Sequence, residues 1–126
     1  MQRKEAIRYI ENAKELLAKS PIEDNRYFDI KYVKSACGVA YLGVIRAIDD
    51  YLLERGVSKK ETPRKVEEYR KALQKYASQY DGKLLRQFDD IYDELHIAGY
   101  YRGLLHKTDI VKSAIKSAKD FIERLK

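Results

Sequence analysis

Few side chains in this sequence could do chemistry on their own: two histidines, His96 and His106, and one cysteine, Cys37, among 126 residues. His106 closes the run Tyr100-Tyr101-Arg102-Gly103-Leu104-Leu105-His106. If that run is helical, Arg102 and His106 stand at i and i+4, on one face and within reach of one ligand. An imidazole titrating near neutral pH can take a proton from a ribose 2′-hydroxyl, and a guanidinium beside it can stabilise charge growing on a phosphate. The pair is a minimal candidate for RNA cleavage, although an Arg and a His four apart also occur on ordinary solvated helix faces. Tyr100 and Tyr101, beside Arg102, are the aromatic pair placed to touch a ligand.

A second cluster, Asp89, Asp90, Asp93 and Glu94 with His96, contains the Asp93 to His96 offset used in carboxylate-bridged metal bundles. Such a site needs a matching motif on another helix. Asp49, Asp50 and Glu54 add carboxylates but no histidine. The expectation is a solvated acidic face paired with basic helices, with no metal and no cofactor. No Gly-rich phosphate loop, nucleophile elbow or cysteine pair is present. Cys37, inside the apolar run Ala36 to Ile45, reads as a small buried side chain. Tyr41, Tyr51, Tyr69, Tyr76 and Tyr92 fit core stripes, with their hydroxyls reaching the rim.

The elements that must position these groups are helical. Ala6, Ile10, Ala13 and Leu17 recur at three or four residues, predicting a first helix over about Gln2 to Lys19. Ser20 and Pro21 end it, and Ser20-Pro21-Ile22-Glu23 reads as a capping box that restarts a helix at once. A long second helix, about Tyr27 to Arg55, carries Val33, Ala36, Ala40, Val44, Ala47 and Tyr51, widened by Cys37, Tyr41, Ile45, Ile48 and Leu52. Apolar on most sides and roughly 40 Å long at 1.5 Å per residue, it belongs at the centre. Gly38 and Gly43 lower its helix propensity, and close approach of a neighbouring helix is the expected return.

Gly56 caps that helix, and Thr62-Pro63 begins a short basic third helix with Val66, Tyr69, Leu73 and Tyr76. Asp81-Gly82 marks the next turn. A fourth helix follows with Leu84, Phe88, Ile91, Leu95 and Ala98, and a last one, capped by Thr108 or Asp109, with Val111, Ala114, Ala118, Phe121 and Leu125. Connections this short imply antiparallel neighbours, so the predicted fold is a single all-α domain over residues 1–126, an up-and-down bundle of four to five helices.

Composition agrees. Hydrophobic residues make up 44% and charged residues 37%, as expected for helices with one buried stripe and a charged outer face. Only 6 Gly and 2 Pro argue against a many-stranded fold. No run approaches the roughly 20 apolar residues of a membrane span, and no secretory signal opens the chain, so the expectation is a cytoplasmic protein with no membrane partner. The net charge of +6 favours polyanionic contacts. It is unevenly spread: Arg55 to Ala77 holds eight basic and three acidic residues, Tyr101 to Lys126 seven and three, and Ser78 to Tyr100 two and five.

The stretch from Tyr32-Val33-Lys34-Ser35-Ala36 through Tyr41-Leu42-Gly43 to Leu52-Leu53-Glu54-Arg55-Gly56 resembles the long second helix of HEPN-type bundles. Tyr101-Arg102-Gly103-Leu104-Leu105-His106, followed by a last amphipathic helix, is similar to that family's Arg-and-His motif. Three residues separate Arg from His and Gly103 follows the Arg, whereas the family's spacing is longer and a polar residue often follows. The resemblance, over about half the chain, implies a homodimer whose two motifs meet in a cleft. It implies RNA or nucleotide chemistry, as in metal-independent RNases, toxin components or nucleotidyltransferase partners. Arg102 would hold the scissile phosphate and His106 would move the proton. The alternative is a non-catalytic bundle whose basic third and last helices or apolar edges dock a protein partner.

Overall fold

A helix apolar on most sides must be wrapped by others, and the computed structural model, which describes residues 3–77 and 82–126, shows how. Five α-helices pack as an all-α bundle: α1 (Lys4–Ala18), α2 (Ile30–Glu54), α3 (Val66–Tyr76), α4 (Lys83–Ile91) and α5 (Thr108–Arg124). A short 3-10 turn, Lys59–Glu61, precedes α3, and α4 runs on as a π-helix, Tyr92–Tyr101. Helix α2 lies against α1, α5 and the π segment, with Val33, Ala36, Ala40, Val44 and Ala47 fully buried. No helix among the described residues is long and apolar enough to cross a membrane.

The small residues of α2 set the spacing. A Cβ on Gly43 would lie 2.9 Å from the Ala6 carbonyl oxygen and 2.8 Å from the Tyr9 Cβ, so α1 crosses α2 backbone to side chain at that point. A Cβ on Gly38 would lie 2.7 Å from the Tyr100 ring, and one on Gly99 would lie 2.6 Å from the Cys37 sulfur. The π segment is thus seated on α2 through two glycines, one from each helix. Arg3, its side chain 3% exposed, closes the end of the bundle. Its guanidinium donates to the Glu54 carboxylate at the end of α2 and to the Leu125 carbonyl after α5. That contact holds the Glu54 carboxyl below the usual range.

Two local expectations change. Ser20-Pro21 does not restart a helix; a two-stranded hairpin, β1 (Ile22–Glu23) and β2 (Arg26–Tyr27), stands there instead. Asp24 and Asn25 sit at φ 49° and 61°, the paired left-handed geometry of a two-residue hairpin turn, which Asp and Asn tolerate better than most residues. The second helix accordingly begins at Ile30, with the Asp29 carboxylate accepting from the Lys31 N–H at 3.2 Å, and Tyr27 is buried in the hairpin. Likewise α3 starts three residues after Pro63, because the backbone is still extended at Lys65, φ −128° and ψ 154°, which stands as its N-cap. Of the turn expected at Asp81-Gly82, Asp81 lies outside the described residues; Gly82 precedes α4 at φ +74°.

Replacing Gly43 by Ala would raise helix propensity by about 1 kcal/mol in an open helix. Here the new methyl meets backbone that cannot move independently, so the expected outcome is net destabilisation of about 1–3 kcal/mol. It would be read as a lower urea midpoint at unchanged slope; a higher midpoint would show that α1 slides away without cost.

Candidate functional site

Helix termination decides the geometry of the Arg-and-His candidate. The π-helix ends at Tyr101, where Arg102 N–H donates to the Ile97 carbonyl at 2.9 Å and Leu104 N–H reaches back to Ala98 at 2.8 Å. Gly103 between them is left-handed at φ +61°, the conformation that ends helices through a glycine. Residues 103–106 therefore carry no regular structure, and the expected i, i+4 relation of Arg102 and His106 on one helical face is not formed. The Tyr27 N–H donates to the His106 carbonyl at 2.9 Å, and Arg26 bridges Lys107, so the chain at His106 is tied to the hairpin. Arg102 is exposed and His106 half-buried. Tyr101 is 74% exposed, while Tyr100 lies over Gly38 with 47% of its surface open.

The other histidine belongs to an aromatic stack. His96 lies against Tyr41 at 4.8 Å between ring centres, with Tyr92 at 5.2 Å and Tyr100 at 5.9 Å. Phe88, Tyr92, His96 and Tyr100 recur every fourth residue, and the change from α to the wider π turn keeps such a row along one side of the helix. The same widening moves the buried position from Ala98, expected from α periodicity, to Gly99. Burial lowers the His96 pKa from its ordinary 6.5 and raises that of Glu94. Cys37 is pushed up to about 12, first by burial and then by the Glu94 charge.

The acidic cluster is divided among partners. Asp89 takes an ion pair from Arg70 of α3 at 2.8 Å, and Asp49 accepts from the Tyr69 hydroxyl at 2.8 Å. Burial raises the pKa of both carboxyls and of Tyr69. Among the described residues no three His, Cys, Asp or Glu side chains converge as a metal site would require. Tyr41, Tyr51 and Tyr69 are buried, and the Tyr51 hydroxyl donates to the Tyr76 carbonyl at 3.2 Å.

A surface the sequence reading did not single out lies between α1 and α5. Two cavities, about 720 and 630 Å³, share Lys119 and Glu123 and so form one continuous cleft along both helices. Eight basic and two acidic side chains line it. The legible signal was Lys112, Lys116 and Lys119 at i, i+4 and i+7, one face of the last helix. Counting charge by segment hid this, because a face is a property of helical phase and the cleft exists only once α1 is docked.

Two measurements follow from the buried groups. At pH 8 a thiol reagent should modify Cys37 only through opening of the fold and at once in denaturant, because the folded side chain is fully buried and burial holds its thiol protonated, pushed up to about 12. For His96, a pKa below the ordinary 6.5 means that the unfolded chain takes the proton first, so its contribution to stability is complete above that value and lost as pH falls through the folded pKa. The stability advantage of wild type over His96→Phe should therefore shrink on going from neutral pH into the acid range. An advantage independent of pH would refute the assignment.

Comparison with known proteins adds family but not activity. No curated protein matches the chain. A solved structure titled as a protein of unknown function from Dyadobacter fermentans is similar at 37% identity and TM-score 0.81, covering 98% of this chain and 92% of that one. A family profile described as a domain of unknown function, DUF5618, matches residues 1–126. Neither finding carries the HEPN resemblance. The chain belongs to the DUF5618 family.

Proposed function

We propose that this protein is a non-catalytic interaction module that docks a protein partner through the basic side of its bundle. The observation that carries this reading is the cleft between α1 and α5, where basic groups outnumber acidic ones eight to two around an apolar floor. The groups that could act as nucleophile or base are held otherwise. Cys37 is buried, His96 is stacked among tyrosines, and Gly103 turns the chain between Arg102 and His106.

A second reading is an RNA-handling homodimer of the HEPN type, with Arg102 and His106 at the phosphate and Tyr100 and Tyr101 against bases. It is supported by the exposure of Tyr101 beside Arg102 and by the net charge of +6. Incubating wild type and His106→Ala with structured RNA in EDTA separates the two. The expected outcome is intact RNA with both proteins. Cleavage by wild type that His106→Ala abolishes would establish the nuclease and displace the interaction module.

A further inference from the structure

The cleft has a shape and a chemistry that together specify an occupant. Its floor is aliphatic: half-buried Ile7 of α1 and Ile22 of the hairpin, 54% exposed, stand open at its two ends, over Leu17, Ile115 and Ile122, which are buried beneath. On the α5 rim Lys112, Lys116 and Lys119 stand in a row. Across from them Arg3, just before α1, and Lys4 and Arg8 of α1 stand towards one end and Lys14 towards the other. Some of this charge is already engaged. Arg3 holds Glu54, Arg8 meets Glu5, Lys14 is 3.9 Å from Glu11, and Lys116 is 3.3 Å from Asp120. Among the described residues Lys4, Lys112 and Lys119 make no ion pair.

We propose that this cleft receives one amphipathic, acidic α-helix of a partner protein, its apolar face on the isoleucine floor and its carboxylates against the lysine rims. The inference rests on the interaction-module reading and gives it a surface and a ligand class. A helix laid between two helices buries an apolar stripe and leaves its flanks at the rim, which is how amphipathic helices are recognised in grooves. The 15 residues of α1 give the cleft a length of about 22 Å, four turns of such a helix.

The alternatives fit less of what is present. A phosphate backbone would use the lysines and leave Ile22 and Ile7 uncovered, and the one tyrosine lining the cleft, Tyr27, is only 5% exposed and offers no base-stacking platform. A second copy joined by two-fold symmetry would set one lysine rim against another, whereas a head-to-tail pairing with the acidic fourth helix would give a ring or a filament instead of a dimer.

The test uses the full chain and fluorescent peptides of about 15 residues. One peptide has Leu on one helical face and Glu elsewhere; a second has the same composition scrambled; a third has Lys for each Glu. A single-stranded RNA oligonucleotide is the fourth probe. The amphipathic acidic peptide should bind at least about tenfold more tightly than the other three. Its affinity should fall about tenfold or more in Lys112→Glu/Lys119→Glu and weaken with added salt. Ala18→Glu, at an exposed position lining the cleft, should also weaken it by repelling the peptide's carboxylates while circular dichroism and thermal midpoint stay at wild-type values.

Equal binding of the scrambled peptide, preference for RNA, or an unchanged affinity in the double variant would each overturn the proposal. So would a dimer in scattering that dissociates in Lys112→Glu/Lys119→Glu, since the cleft would then hold a second copy. The broader reading is checked separately by co-purification. A protein partner retained by the double variant means that the module stands and the cleft assignment falls; RNA cleavage by wild type sinks both.

Discussion

The bundle depends on how closely α2 lets its neighbours approach. Its buried stripe mixes small residues, Ala36, Ala40, Gly43 and Ala47, with large ones, Tyr41, Ile48, Tyr51 and Leu52, so backbones are drawn together at the small positions and side chains interlock at the large ones. At Gly43 the crossing helix arrives where a methyl would stand. At Gly38 and Gly99 each glycine makes room for the other helix's side chain, Tyr100 in one case and Cys37 in the other. Surfaces this close leave no space for a ligand at these crossings. Chemistry, if any is to involve a partner, is pushed to the rim and to the clefts between helices.

The same packing determines what the titratable groups can do. Burial keeps Cys37 protonated, His96 neutral and Glu94 harder to ionise, while Asp89 and Asp49 are engaged by Arg70 and Tyr69. These groups are side chains used in construction, and their altered pKa values come first from desolvation, not from pairing with an opposing catalytic charge. Basic charge lines the cleft where α1 and α5 run side by side, and the acidic fourth helix is partly neutralised by α3.

Helix identity and the core were written in periodicity. The stripes read from α1, from α5 and from most of α2 are the buried residues of the structure, because a 3.6-residue repeat is a local property that survives any docking arrangement. The errors fall where something other than that repeat governs. Asp24 and Asn25 impose a hairpin turn that outweighs the capping-box pattern before them, and the π segment advances the helical phase so that Gly99, not Ala98, is buried. Gly103 was visible beside Arg102, and its left-handed conformation takes His106 off the helix.

From residue order alone come the all-α class, the central place of α2, the close approach at its glycines and the uneven distribution of charge, since each follows from side-chain type and spacing along one helix. Which lysines share a cleft, which carboxylate meets which guanidinium, and where His106 stands relative to Arg102 were decided only by tertiary structure. Those relations join residues from different elements, and helical phase at a crossing is set by the packing of both partners together.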